Sequence, residues 1–126
     1  MAITLSTAAR NAACDAVVDL IDVGTTDANG DLVIMTSADV EVATLAMSSP
    51  AFGSAVTGTA TANAISDDTN ATGGTAALFK IQDKNNAEVF RGTVGVSGAD
   101  LNLTSVSIGA GGTVSVTSFT VTMPAS

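Results

Sequence analysis

The stretch AALFKIQDKNNAEVFRGTV, residues 76–94, decides the fold. Two mixed apolar and polar runs, 76–82 and 87–94, flank Asp83-Lys84-Asn85-Asn86. Asp and Asn tolerate the backbone angles of tight turns, so the stretch reads as a β-hairpin. A four-residue loop would set Phe79 opposite Phe90, with Ile81 on the same face. Opposed phenylalanines stabilise a strand pair by up to about 1 kcal/mol. The other face then carries Leu78, Lys80, Val89 and Arg91. Half apolar and half cationic, it has the make-up of an interface rim. Lys and Arg stems snorkelling over a surface give the same pattern.

Strand patterning continues outward from the hairpin. Upstream, Leu32–Thr36 follows the turn signal Asn29-Gly30, and Val40–Met47 alternates with Val40, Val42 and Leu45 as inward residues. Ser48-Ser49-Pro50 breaks that run. Val56–Ala62 is a weakly apolar strand, and ISDDTNATGG (65–74) is a polar loop predicted to be the most mobile segment. Downstream, Leu101, Leu103, Val106 and Ile108 fall in short strands between glycines. The longest strand is Thr113–Met123. Val114 and Val116 share one parity; Phe119, Val121 and Met123 share the other. A bulge or bend at Thr117-Ser118 would turn all five to one side; a strand passing between two sheets there is the alternative.

One segment reads as a helix, about residues 6–23, capped by Ser6 or Thr7 and stopped near Gly24. Leu5, Ala9, Ala12, Ala13, Ala16 and Leu20 form one stripe, and Cys14, Val17, Val18 and Ile21 form a second apolar side. Such a helix is either deeply buried or sandwiched between its own sheet and another chain. Asp15, Asp19 and Asp22 form an acidic ridge. The last two oppose the helix dipole by about 0.3–1 kcal/mol each. The expected fold is a single mainly β domain over 1–126: an antiparallel β-sandwich or jelly-roll-like body (about 29–124) with one N-terminal α-helix.

Composition narrows the function. Among 126 residues there is no His, Trp or Tyr, one Cys and four Phe. A Cys–His nucleophile is excluded, and the acid–base and metal-binding repertoire is poor. No cofactor is implied, and the expected protein is not an enzyme. Alanine dominates the apolar residues, so the core gains modestly at about 25 cal/mol per Å² of buried surface. Further stability would come from docking or oligomerisation. The net charge of −8 argues against nucleic acid and anionic membrane as partners. Lys80, Lys84 and Arg91 cluster in 80–91, opposed there only by Asp83 and Glu88. The remaining chain holds one positive and ten negative charges. The N-terminus lacks the pattern of a signal peptide, and no apolar run reaches the roughly 20 residues of a membrane span.

Asp27-Ala28-Asn29-Gly30-Asp31 has some features of a calcium loop but lacks a Glu at the required distance, so a turn is expected. Asp67-Asp68 with Asn70 reads as a solvated loop, with a hard-cation site as its alternative. No GxSxG elbow and no phosphate loop occurs.

Three phrases together carry a resemblance. They are LSTAARNAA (5–13) with its helix, SPAFG (49–53) followed by TATANAI (59–65), and GTVG (92–95) with SGADLNL (97–103) running into VSVTSFTVT (114–122). In this order they resemble a family of small virion structural proteins of tailed bacteriophages and prophages, of the head decoration or cement kind. The resemblance implies a protein made in the host cytoplasm and placed on the head surface. It implies the major capsid protein and further copies of itself, as a homotrimer, as partners. It carries no catalytic residues. A tail, baseplate or fibre module and a glycan-binding module are the alternatives. The expected interface residues are Asp15, Asp19, Asp22 and Val18 on the helix, with Leu78, Lys80, Val89 and Arg91 on the hairpin.

Overall fold

In the computed structural model, which describes residues 3–125, the chain runs through α1 (Thr7–Asp19), a 3-10 turn (Leu20–Asp22), β1 (Asp31–Met35), β2 (Glu41–Ala46), β3 (Thr59–Thr61), β4 (Gly74–Thr75), β5 (Leu78–Gln82), β6 (Glu88–Gly95), β7 (Leu101–Asn102), β8 (Ser107–Ile108) and β9 (Thr120–Thr122). The fold is mainly β with one N-terminal helix. A curled five-stranded sheet, ordered β2-β1-β5-β6-β7, shares its core with two short ribbons, β3-β9 and β4-β8. The large sheet is mixed rather than purely antiparallel. After β6 the chain loops through residues 96–100 and returns parallel to it, Val94 opposite Leu101.

The hairpin forms where expected, but its register is two residues away from the simple reading. Asp83 N–H donates to Ala87 O, which leaves a three-residue loop, with Asn86 at φ 63°. Asp83 Oδ1 steadies the loop by accepting from Asn85 and Ala87 N–H. A bulge between Gln82↔Glu88 and Ile81↔Phe90 then adds Val89 as an extra residue. Each irregularity shifts the pairing by one. Phe90 therefore opposes Ile81, and Phe79 opposes Gly92. Because the total shift is even, Phe79, Ile81 and Phe90 stay on one face. Gly92 is required there: a Cβ would lie 2.7 Å from the Phe79 ring.

All four phenylalanines meet around Phe119. Its ring centroid lies 5.3 Å from Phe79, 6.0 Å from Phe52 and 6.5 Å from Phe90. Phe79 and Phe90 meet edge-on at 6.4 Å. The surrounding core is aliphatic, including Leu32, Ile34, Leu45, Ile81, Leu101 and Val116. Val114, Val116 and Phe119 are buried and Val121 and Met123 half-buried. The slip at Thr117-Ser118 thus turns all five inward, but by an irregular extended path, and only Thr120–Thr122 is a strand. Val40 does not point inward; it is 59% exposed, because a bulge opposite Met35 turns Val42 and Ala43 into the core instead.

Loop 65–74 is not a free excursion. It covers the outer edge of β2, a row of backbone groups that needs partners. Ser66 N–H donates to Ala46 O and Gly73 N–H to Val42 O, and Thr44 N–H donates to Asp68 Oδ2. Asp68 also pairs its backbone both ways with Val114, and Ala71 is 3% exposed.

Phe119→Ala should cost about 3–5 kcal/mol, a large part of the about 5–15 kcal/mol available to a small domain. Urea unfolding would measure it; a loss below 1 kcal/mol would contradict the central place of this ring.

Candidate functional site

The helix is held by its polar side chains as much as by its apolar face. Ser6 Oγ caps it, accepting from Ala9 N–H at 3.1 Å. Arg10 Nε donates to Met123 O, Asn11 Oδ1 accepts from Gly58 N–H, and Cys14 Sγ lies 3.3 Å from Val121 O. Asp15 Oδ1 accepts from Ala55 N–H at 2.7 Å, and Asp22 Oδ1 from Ala51 N–H at 3.0 Å. The chain 51–58 is irregular: Gly53 and Val56 N–H pair with β3, while the N–H groups of Ala51, Ala55 and Gly58 are satisfied by side-chain oxygens of the helical segment. Two residues of the acidic ridge are thereby committed to the fold. Asp19 alone is exposed, and its side chain makes no hydrogen bond among the described residues.

The two apolar sides of the helix differ in burial, with Val17 of the second side half-buried. Cys14, Val18 and Ile21 are buried. Val18, expected at an interface, is 2% exposed and belongs to the core. Val and Ile bury more apolar area than Ala, so they take the inward side. The alanine stripe points outward instead. Ala9, Ala12 and Ala16 are exposed, Ala13 is half-buried, and Leu5 and Leu20 are 36% and 52% exposed. Val23, in extended conformation just past the 3-10 turn, is 52% exposed.

On the outer face of the sheet, Lys80 lies directly opposite Arg91. Their like charges are offset by two carboxylates. Arg91 pairs with Glu88 at 2.8 Å and reaches Asp39, in the β1–β2 turn, at 3.2 Å. The hydrogen bond from Arg91 holds the Glu88 carboxyl below its ordinary range, helped by the charges of Arg91 and Lys80. The face is therefore charge-balanced rather than a basic patch. Leu78 is half-buried beside it, while Val89 leaves this face and packs on the core from its bulge. Lys84 is turned away, its Nζ on Ser49 Oγ at 2.9 Å.

Of the two loops considered for a cation, the one at 67–70 has its Asp68 carboxylate committed to backbone donors. Asp68 Oδ1 and Oδ2 accept from Asn70 and Thr44 N–H. Asn29 Nδ2 donates to Met47 O, and the chain bends at 27–29 before Asp31 opens β1. Among the described residues no group of three or more His, Cys, Asp or Glu is arranged to hold a metal. No helix there is long and apolar enough to cross a membrane. Asn85 was invisible to motif reading. Its Oδ1 accepts from Thr25 and Thr26 N–H, clasping the helix exit to the hairpin loop. Gly24, at φ +121°, sits against it with no room for a Cβ.

In comparisons with known proteins, the chain matches no family model, no curated protein and no solved structure. The phage resemblance therefore rests on the sequence phrases alone.

Asp15→Ala should cost about 1–3 kcal/mol, because it strands the N–H of buried Ala55, whereas Asp19→Ala should stay within about 0.5 kcal/mol. Chemical denaturation of both variants distinguishes a fold role from a surface role. Burial, with the charge of Asp27, pushes the Asp31 carboxyl above its ordinary value. Protonated Asp31 thus favours the folded chain, and that contribution is lost as pH rises through the raised pKa. Asp31→Asn should be more stable than the parent at pH 7, and the advantage should fade below about pH 4. Melting temperatures across that range would test the sign.

Proposed function

We propose that this chain is a non-enzymatic virion structural protein of a tailed bacteriophage, a decoration or cement protein on the outside of the head. It would bridge neighbouring major capsid subunits and stabilise the shell through many modest contacts. The observation that carries a docking role is the outward face of α1. Ala9, Ala12 and Ala16, with Leu20 in the 3-10 turn that follows, form an uncharged exposed stripe on a chain of net charge −8. A contiguous exposed apolar stripe is characteristic of a surface that meets another protein. Alanines let a partner backbone approach closely, and Asp19 at its margin favours a cationic rim on that partner. The acidic surface limits non-specific association of free protein before docking. The phage setting rests on the sequence phrases.

The test uses particles of the source phage. Heads stripped of the chain should take up the purified protein in head-like copy number. Ala12→Glu with Ala16→Glu, both exposed, should leave its melting unchanged and reduce uptake at least about tenfold, since each introduced charge would be desolvated at the contact. Unchanged uptake would remove the helix face from the interface. Tail-like copy number would move the protein to tail, baseplate or fibre, and absence from particles would overturn the reading.

A further inference from the structure

We propose that the extended run Ser115–Ser118 is a self-association edge, pairing antiparallel with the same run of a second copy. The proposal is independent of docking on a capsid. On either side of the run the backbone is paired. Val114 exchanges hydrogen bonds with Asp68, and Phe119 O accepts from Ala62 N–H before β9 begins. Among the described residues, no hydrogen bond reaches the backbone of Ser115, Val116, Thr117 or Ser118. The four residues thus carry eight backbone donors and acceptors without an intrachain partner. The run is nonetheless held in place, with Val116 7% and Phe119 5% exposed as its anchors. Ser115, Thr117 and Ser118 face solvent.

Nothing from the same chain pairs with it. A cleft of about 180 Å³ separates the Gly112–Ser115 side from residues 103–109, with Thr104, Ser105 and Ser107 in its lining. A second cleft, about 90 Å³, opens beyond the Ala62–Phe119 hydrogen bond, between 116–118 and Asn63–Ile65. The run is thus an extended edge fixed between two gaps. Such an edge is a template for another strand.

Charge identifies the occupant. All sixteen charged residues (four basic and twelve acidic) lie at or before Asp100, so residues 101–126 carry none, and the Asp68 carboxylate, next to Val114, is engaged by Thr44 and Asn70 N–H. Two copies of net charge −8 repel over most of their surfaces, and least where both are uncharged. A basic partner would find its complement elsewhere on the molecule. An antiparallel pair of identical runs is also self-complementary, since each copy offers the other the same donors and acceptors about a two-fold axis. The exposed hydroxyls would meet as Ser/Thr cross-strand pairs. The geometry gives a dimer, where the resemblance implies a trimer.

Sedimentation equilibrium of the whole chain should give about 25 kDa, twice 12.3 kDa, at concentrations up to about 100 µM. Ser115→Asp with Thr117→Asp, which sets like charges face to face, should give the one-chain mass with unchanged circular dichroism. Thr117→Pro should do the same, as it removes an N–H without an intrachain partner. In the parent chain, amide exchange at Val116–Ser118 should slow as concentration rises. A one-chain or three-chain parent mass overturns the proposal. So does a two-chain mass kept by both variants, or exchange at 116–118 independent of concentration.

Discussion

The ring of Phe119 is the contact on which the rest of this structure depends. A chain with so much alanine has few side chains able to span a core. Here the four largest converge on one point, from the 51–58 segment, β5, β6 and the approach to β9. Edge-to-face packing adds about 0.5–1.5 kcal/mol per aromatic pair beyond area burial. It also joins the hairpin, a local element, to the C-terminal part of the chain. The aliphatic residues around it are small enough to fill the remaining space without strain.

Polar side chains do much of the remaining joining. Asp15, Asp22 and Asn11 satisfy N–H groups of an irregular segment, Asp68 does so for the edge of β2, and Asn85 for the helix exit. Each replaces a stretch of strand pairing that the chain lacks. No buried side-chain nitrogen or oxygen among the described residues is left without a partner. The acidic composition is thus partly architectural. Charges that look like a ridge awaiting a cation are, at two of three positions, acceptors for backbone donors.

Much of the fold was legible in the sequence because period and punctuation carry it. The helix bounds, the hairpin and the inward turn of Val114 to Met123 follow from spacing, caps and parity. The register of the hairpin was not legible. It depends on whether Asn86 takes a left-handed conformation and on a bulge at Val89, neither of which a hydrophobic pattern encodes. Nor was the roll of the helix. Two apolar sides competed for the core, and packing chose Val18 and Ile21 over the alanines. The surface site was only half legible for the same reason. Arg91 was recognisable as a cation, but its partner Asp39 lies far away in sequence and near only in the folded sheet. Asp and Asn within the helix, which are poor interior helix formers, were the one signal that those side chains had other work.

The sealing of β2 by residues 66–73 also has a consequence for how the protein is made. That loop is itself held by Val114 and Gly112, β3 is completed by β9, and the hairpin rings close on Phe119. The first half of the chain therefore has a bare sheet edge and an unfilled core until the last quarter arrives. On the ribosome, the emerging polypeptide cannot settle into its native state until Phe119 has cleared the exit tunnel. Long-range pairings of this kind delay folding and leave the growing chain exposed for longer. A sequence poor in aromatic side chains and carrying a net charge of −8 is suited to that wait, since like-charged nascent chains repel one another.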